Sequence, residues 1–235
     1  MSRAVILAGG LGTRLKPYTI SMPKPLVPIN DMPVLEIIIM QLKNYGFTHI
    51  TLAVNHLSNL ITDFFGDGNK WNLKIDYIHE SKPLSTMGPL SLLNDLPDNF
   101  LVMNGDVISD LNYRDFLKNH SLGDSIFSIS SFIRKEKIDY GVLDVADNRL
   151  INFKEKPEYE FKVSMGIYAC SKEVLSYIPQ NKFYGFDNLM NAFINANTKV
   201  NVFTHDGYWL DIGRPSDYLK AIEDYEVTIK DFLLQ

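Results

Sequence analysis

A single cysteine, Cys170, stands in the 235 residues. One thiol can form no internal disulfide and no cysteine-based zinc site, and it suits a reducing cytoplasm. Long apolar runs are also missing. The N-terminus reaches Gly9-Gly10 after only the five residues Ala4 to Ala8, too short for a signal-peptide core, and no stretch approaches the roughly 18 residues that span a bilayer. Nor is there a basic excess: 23 Lys and Arg against 28 Asp and Glu give a net charge of −5, which argues against nucleic acid as a partner. Linkers, repeats and low-complexity segments are absent as well. What these absences leave is a soluble, acidic, globular protein, an enzyme or a binding module, with no nucleic-acid or membrane partner expected and homo-oligomer formation left open.

The first half alternates short apolar runs with amphipathic stretches. The pattern predicts strands over 4–7, 49–54, 73–78 and 100–103, with helices over 33–45, 57–65 and 86–96 between them. Helical segments of that length between strands imply right-handed crossovers and a mainly parallel sheet. The second half reads as richer in strands, over 125–132, 141–145, 150–154 and 162–170, with helices over 172–177, 186–195 and 215–225. The expectation is one α/β domain over 1–235 whose second half adds a mixed-sheet region. In such sheets ligands bind beyond the carboxyl ends of the strands.

Those ends carry the unusual residues. Directly after the first strand, Gly9, Gly10 and Gly12 let backbone come close to a ligand and turn N–H groups inward, a cradle suited to phosphate. The run matches neither a dinucleotide fingerprint nor a Walker loop, because Arg14 follows and Pro17 interrupts. A guanidinium there offers a fork for phosphate oxygens. Lys24, ten residues on, is expected in extended backbone between Pro23 and Pro25 and converges with Arg14 on one polyanion. Asn104-Gly105-Asp106 ends an apolar strand, and Trp209-Leu210-Asp211-Ile212-Gly213 repeats the logic. Asp106 and Asp211, with oxygen donors from phosphate, would make a hard-cation site suited to Mg²⁺. Turn or cap roles remain open for both aspartates.

Taken together, residues 8–15 followed by Pro23-Lys24-Pro25 resemble the signature of the sugar-1-phosphate nucleotidylyltransferases. Asn104-Gly105-Asp106, Phe153-Lys154-Glu155-Lys156-Pro157 and 209–213 resemble that family's later motifs in the right order. The resemblance is greatest to its mannose-1-phosphate and heptose-1-phosphate guanylyltransferase branch. It implies a Rossmann-like nucleotidyltransferase fold, with NTP bound by residues to about 110 and sugar 1-phosphate by those beyond about 111. On the nucleotide side it places Leu7, Ala8, Gly9, Glu80, Pro83, Thr86, Gly88, Asn104 and Gly105. Gly10, Gly12, Thr13 and Arg14 would hold the triphosphate, with Lys24 bridging phosphates in the transition state and Asp106 and Asp211 holding Mg²⁺. On the sugar side Lys156 would meet the phosphate, Glu155 and the backbone at Gly141 beside Tyr140 would meet hydroxyls, and Gly166 would form a further turn.

Glu80 opens the segment 80–90, in which guanylyltransferases of this family commonly show Pro-Leu-Gly-Thr-Ala-Gly; Ser85 stands here for the first glycine and Met87 for the alanine. Its carboxylate can accept from guanine N1–H and the exocyclic amine. The resulting expectation is transfer of a nucleotidyl group from an NTP, GTP by preference, to a sugar 1-phosphate for glycoconjugate synthesis. The attacking phosphate is already an anion and needs no base, in keeping with five histidines that all fall outside these motifs. CTP, UTP or dTTP as donor, and a non-catalytic nucleotide-sugar sensor, stay open as alternatives. A catalytic core alone is expected, without an attached β-helix acyltransferase or regulatory domain.

Overall fold

The computed structural model describes residues 2–233. In chain order its strands are β1 (Ser2–Leu7), β2 (Pro28–Ile29), β3 (Met32–Pro33), β4 (Phe47–Val54), β5 (Lys74–His79), β6 (Asn99–Asn104), β7 (Val107–Ser109), β8 (Phe127–Lys137), β9 (Gly141–Ala146), β10 (Arg149–Glu155), β11 (Glu158–Ser171), β12 (Val200–His205) and β13 (Trp209–Asp211). The helices are α1 (Val34–Asn44), α2 (Ser58–Phe65), α3 (Tyr113–Ser121), α4 (Phe186–Asn195), α5 (Pro215–Asp224) and α6 (Lys230–Leu233).

Seven strands form one sheet in the order β12-β8-β11-β6-β1-β4-β5. β5, β4, β1 and β6 are parallel, β11 runs against both β6 and β8, and β12 is parallel to β8. The strand order turns at β1, whose neighbours β4 and β6 both come later in the chain, so a crevice opens beyond its carboxyl end.

Side-chain alternation builds a core on each face. Ala4 and Ile6, Leu101 and Met103, Ile167 and Ala169 join α1 on one side; Val5, Phe100 and Val102, Tyr168 and Cys170 join Leu189 and Phe193 of α4 on the other. Helix α1 is buried almost all round, with Leu35, Ile37, Ile38, Ile39 and Leu42 each at 0 % exposure, which is why its sequence is apolar on more than one face. Asn112 caps α3 by accepting from the Asp115 N–H at 3.0 Å.

The structure corrects several expectations. The helix predicted over 86–96 is only a 3-10 turn, Gly88–Leu92. Pro89 cannot donate, and the Met87 and Gly88 N–H groups donate to the distant Tyr184 carbonyl at 3.0 and 2.9 Å. Residues 172–177 are likewise 3-10 rather than α-helical. Lys24 is not in an extended segment but begins a 3-10 turn, Lys24–Leu26, and is 8 % exposed. The strands predicted over 125–132 and 162–170 also run longer, because β8 and β11 extend together to the pair Lys137–Glu158. Beyond it stands the β9–β10 hairpin, largely exposed, closed by Asp147 and Asn148 at φ 50° and 59°, the left-handed pair of a tight hairpin turn.

Truncating Ile38 to alanine should lower stability by about 3 kcal/mol through lost burial and a residual cavity, dropping Tm by about 6–12 °C. Leu219→Ala, on an exposed face of α5, should change it by no more than about 0.5 kcal/mol. Thermal unfolding followed by circular dichroism checks both.

Candidate active site

The crevice beyond β1 is a cleft of about 370 Å³. Of the residues expected on the nucleotide side, Leu7, Gly9, Gly10, Glu80, Pro83, Thr86, Asn104 and Asp106 line it. The N–H groups of Gly10, Leu11 and Gly12 make no hydrogen bond within the described chain, so they are free for a ligand. Gly12 closes this loop. Its φ is +60°, and a Cβ there would lie 2.8 Å from the Thr19 methyl and 3.1 Å from Lys24 Cβ, so only glycine brings the loop onto Lys24. The Thr19 hydroxyl fastens it by donating to the Gly12 carbonyl at 2.7 Å.

Thr13 and Arg14 lie exposed in the 3-10 turn that follows, and Ala8 is buried, its N–H on the Ala53 carbonyl at 2.8 Å. Gly105 does not line the cleft. Its N–H donates to the Leu7 carbonyl at 3.0 Å and a Cβ would sit 3.1 Å from that oxygen, so it sets how closely the end of β6 approaches β1. Gly88 too is away from the lining, buried against the backbone of residues 182–184.

Four ionic groups converge beside the loop. The short antiparallel ladder β7–β13 pairs Asp211 with Val107, and the Ile212 N–H donates to the Asp106 carbonyl at 2.9 Å, which sets the two aspartates side by side. Lys24 Nζ forms a hydrogen-bonded ion pair with Asp106 Oδ2. Arg14 lies on the side of the other aspartate without pairing with it: its guanidinium and Asp211 Oδ1 each lie 2.9 Å from where a Gly213 Cβ would stand. Burial, and then the neighbouring Asp106 charge, push the Asp211 carboxyl above its usual range, while Lys24 and Arg14 pull against the shift. Asp211 Oδ1 is buried without a hydrogen-bond partner. An orphaned carboxylate oxygen beside a second carboxylate fits a hard cation completed by substrate oxygens, although no group of three or more acidic, His or Cys ligands occurs among the described residues.

At the opposite wall Glu80 Oε2 accepts from the Leu84 N–H at 2.8 Å, and Oε1 faces Gly9, 2.8 Å from the position of a Cβ there. Burial raises its pKa, opposed by the hydrogen bonds from Leu84 and Asn55.

Among the residues expected on the sugar side, Gly166, at φ +77°, abuts Asn104 of the lining, where a Cβ would stand 3.1 Å from the Asn104 Cγ. Tyr140, Gly141, Glu155 and Lys156 gather at the root of the β9–β10 hairpin, where Gly141 pairs with Glu155, but none of them lines the cleft. Sequence reasoning missed Leu11, Asn55, Ser85, Pro89 and Phe183 as lining residues. The histidines stay outside: His49 pairs with Asp76 at 2.5 Å, His205 with Asp110 at 2.7 Å, and buried His120 with the Ser128 and Ser171 hydroxyls.

Known proteins place this geometry in a family. The chain is 34% identical over 95% of its length to a probable mannose-1-phosphate guanylyltransferase of Oryza sativa subsp. japonica, covering 64% of that protein. It is 32% identical over 94% of its length to a UTP–glucose-1-phosphate uridylyltransferase of Synechocystis, covering 62%. The chain thus spans a little under two thirds of these curated relatives. Among solved structures, HddC from Yersinia pseudotuberculosis, crystallised with GMP-PN, superposes with a TM-score of 0.73 at 31% identity over 96% of this chain and 100% of that one. The family model described as nucleotidyl transferase matches residues 3–228, and with that match the chain belongs to the nucleotidyl transferase family.

Proposed function

We propose that the protein transfers a nucleotidyl group from an NTP to a sugar 1-phosphate, releasing pyrophosphate and forming an NDP-sugar. The observation that carries this reading is the convergence of Lys24, Arg14, Asp106 and Asp211 at one end of a cleft whose rim is a glycine loop with free N–H groups. A phosphate oxygen of the sugar 1-phosphate attacks the α-phosphorus in line, the bond from that phosphorus to the bridging oxygen breaks, and its electron pair leaves with pyrophosphate. The chain supplies position and charge rather than covalent chemistry. Backbone N–H groups of residues 10–12 hold phosphate oxygens, and Lys24 and Arg14 neutralise the charge that builds on the α-phosphate and leaving group. Asp106 and Asp211 would hold Mg²⁺, which when bound offsets phosphate charge. Lys156, Glu155, Tyr140, Gly141 and Gly166 take the sugar phosphate. Guanine is the base favoured, because the half-buried Glu80 turns a carboxylate oxygen into the cleft and because relatives include mannose-1-phosphate guanylyltransferases. The uridylyltransferase relative keeps UTP as the second reading.

Pyrophosphate release from a matrix of NTPs against sugar 1-phosphates, with and without Mg²⁺, tests the reaction; no release in any combination refutes it. Asp106→Asn and Asp211→Asn should each lower kcat at least about a hundredfold. Their effects on stability should diverge. Asp211→Asn removes a carboxylate that burial and the neighbouring Asp106 charge both disfavour, and should raise Tm. Asp106→Asn leaves Lys24 buried without its counter-charge and should lower Tm.

Lys24→Ala should damage kcat, whereas Lys156→Ala should chiefly raise KM for the sugar phosphate. Initial rates with each substrate varied in turn separate the two, and equal KM changes for both substrates would contradict the division. Glu80→Gln should cut kcat/KM for GTP by about ten- to a hundredfold and affect UTP far less. A wild-type preference for a pyrimidine nucleotide would overturn the guanine assignment and leave nucleotidyl transfer standing.

A further inference from the structure

Ser85 holds φ at +65°, a conformation crowded for any residue with a Cβ, and it does so in the cleft lining. Neighbouring bonds enforce the position. On one side the Leu84 N–H donates to Glu80 Oε2 at 2.8 Å, which curls residues 80–84 around that carboxylate, and Ser85 follows in the same cleft lining. On the other side the segment is laced to residues 184–186. The Tyr184 N–H donates to the Leu84 carbonyl at 2.9 Å, and the Phe186 N–H donates to the Thr86 hydroxyl at 2.8 Å. Room for the serine side chain exists because Gly185 faces it; a Cβ on Gly185 would stand 3.2 Å from Ser85 Oγ. The hydroxyl itself makes no hydrogen bond within the described chain. A half-buried hydroxyl, kept at the cost of backbone strain and without a protein partner, is a donor left for a ligand.

Its neighbour tells what that ligand presents. The Watson–Crick edge of guanine carries two adjacent donors, the exocyclic amine and N1–H, followed by one acceptor, O6. Glu80 offers an acceptor for the first two, and the Ser85 hydroxyl in the same cleft lining offers a donor for the third. Uracil and thymine carry a single N–H between two carbonyls, and the adenine edge offers an acceptor where guanine has N1–H. We propose that Ser85 Oγ–H donates to guanine O6 while Glu80 accepts from N1–H and the amine, so that Ser85 is a specificity-determining residue for the base. This inference rests on the guanine reading above and adds to it a side chain that reads the carbonyl.

The test is kcat/KM for GTP, 6-thio-GTP and ITP, with one accepted sugar 1-phosphate, for the wild type, Ser85→Ala and Ser85→Gly, together with Tm of each. Ser85→Ala should lose about three- to tenfold on GTP, the net worth of one hydroxyl hydrogen bond. It should lose little on 6-thio-GTP, whose sulfur accepts weakly, so the GTP to 6-thio-GTP ratio falls by the same factor. The GTP to ITP ratio should hold, because the amine that ITP lacks belongs to Glu80. Ser85→Gly should show the same ratios with Tm raised by about 2 °C, since glycine takes a positive φ without strain. It also carries the test should the alanine variant fold poorly. An unchanged GTP to 6-thio-GTP ratio, in a wild type and variants that all prefer GTP, would sink the Ser85 assignment alone. A wild type that prefers a pyrimidine nucleotide would sink the guanine reading, and this inference with it.

Discussion

Two carboxylates that repel one another are held together, and the site is organised around that fact. The β7–β13 ladder and the Ile212 N–H on the Asp106 carbonyl bring Asp106 and Asp211 to one place, and neither bond can relax without breaking strand pairing. The repulsion is answered from the other side of the chain by Lys24 and Arg14, which come from the segment after β1. Gly12 is what lets that segment fold back far enough for Lys24 to arrive. Burial first, and then this repulsion, raise the Asp211 pKa, one Asp211 oxygen stays without a hydrogen-bond partner, and the cluster sets cations and anions at fixed positions in one site. Electrostatic preorganisation of this kind suits phosphoryl chemistry, where charge moves and little else does.

Much of this frame was legible because the relevant signals are local. β1, β4 and β6 are apolar runs that stop at Gly, Asn or Asp, and their buried alternation on both faces is what a central strand requires. The ionic residues were legible for the same reason: charge at the end of an apolar strand has few structural uses. Asn55, directly after β4, carries no charge, but a polar side chain at a strand's carboxyl end could have marked it. Phe183 carries no such signal, since it meets the cleft only because residues 181–186 lie against 84–91. The same long-range lacing defeats the helix expected over 86–96, whose first donors are spent on Tyr184, nearly a hundred residues away. The backbone at Lys24 was misread, while its place beside Asp106 comes from tertiary contacts. The restriction imposed by Pro25 favours extended backbone, but tertiary contacts with Gly12 and Asp106 hold a 3-10 turn.

The segments proposed for base and for sugar are different kinds of structure. The wall that carries Glu80 and Ser85 is bonded at both ends to other segments, whereas the residues assigned to the sugar phosphate stand mostly at the root of an exposed two-stranded hairpin. A two-stranded ribbon alone is marginal in water, so its geometry depends on the β8–β11 pair from which it rises.

Helix α5 and the turn after it return to the start of the chain. The Tyr218 hydroxyl donates to the Pro28 carbonyl at 2.7 Å across 190 positions, and β6 gains its second neighbour only when β11 has paired with it. During synthesis the glycine loop emerges first, yet the contacts that shape its surroundings are the last to be made. Contacts so distant in sequence slow folding, because the chain loses loop entropy before they form. The nascent first half, in which β1 already lies between β4 and β6 but the outer edge of β6 waits for β11, is therefore the state most exposed to misassociation.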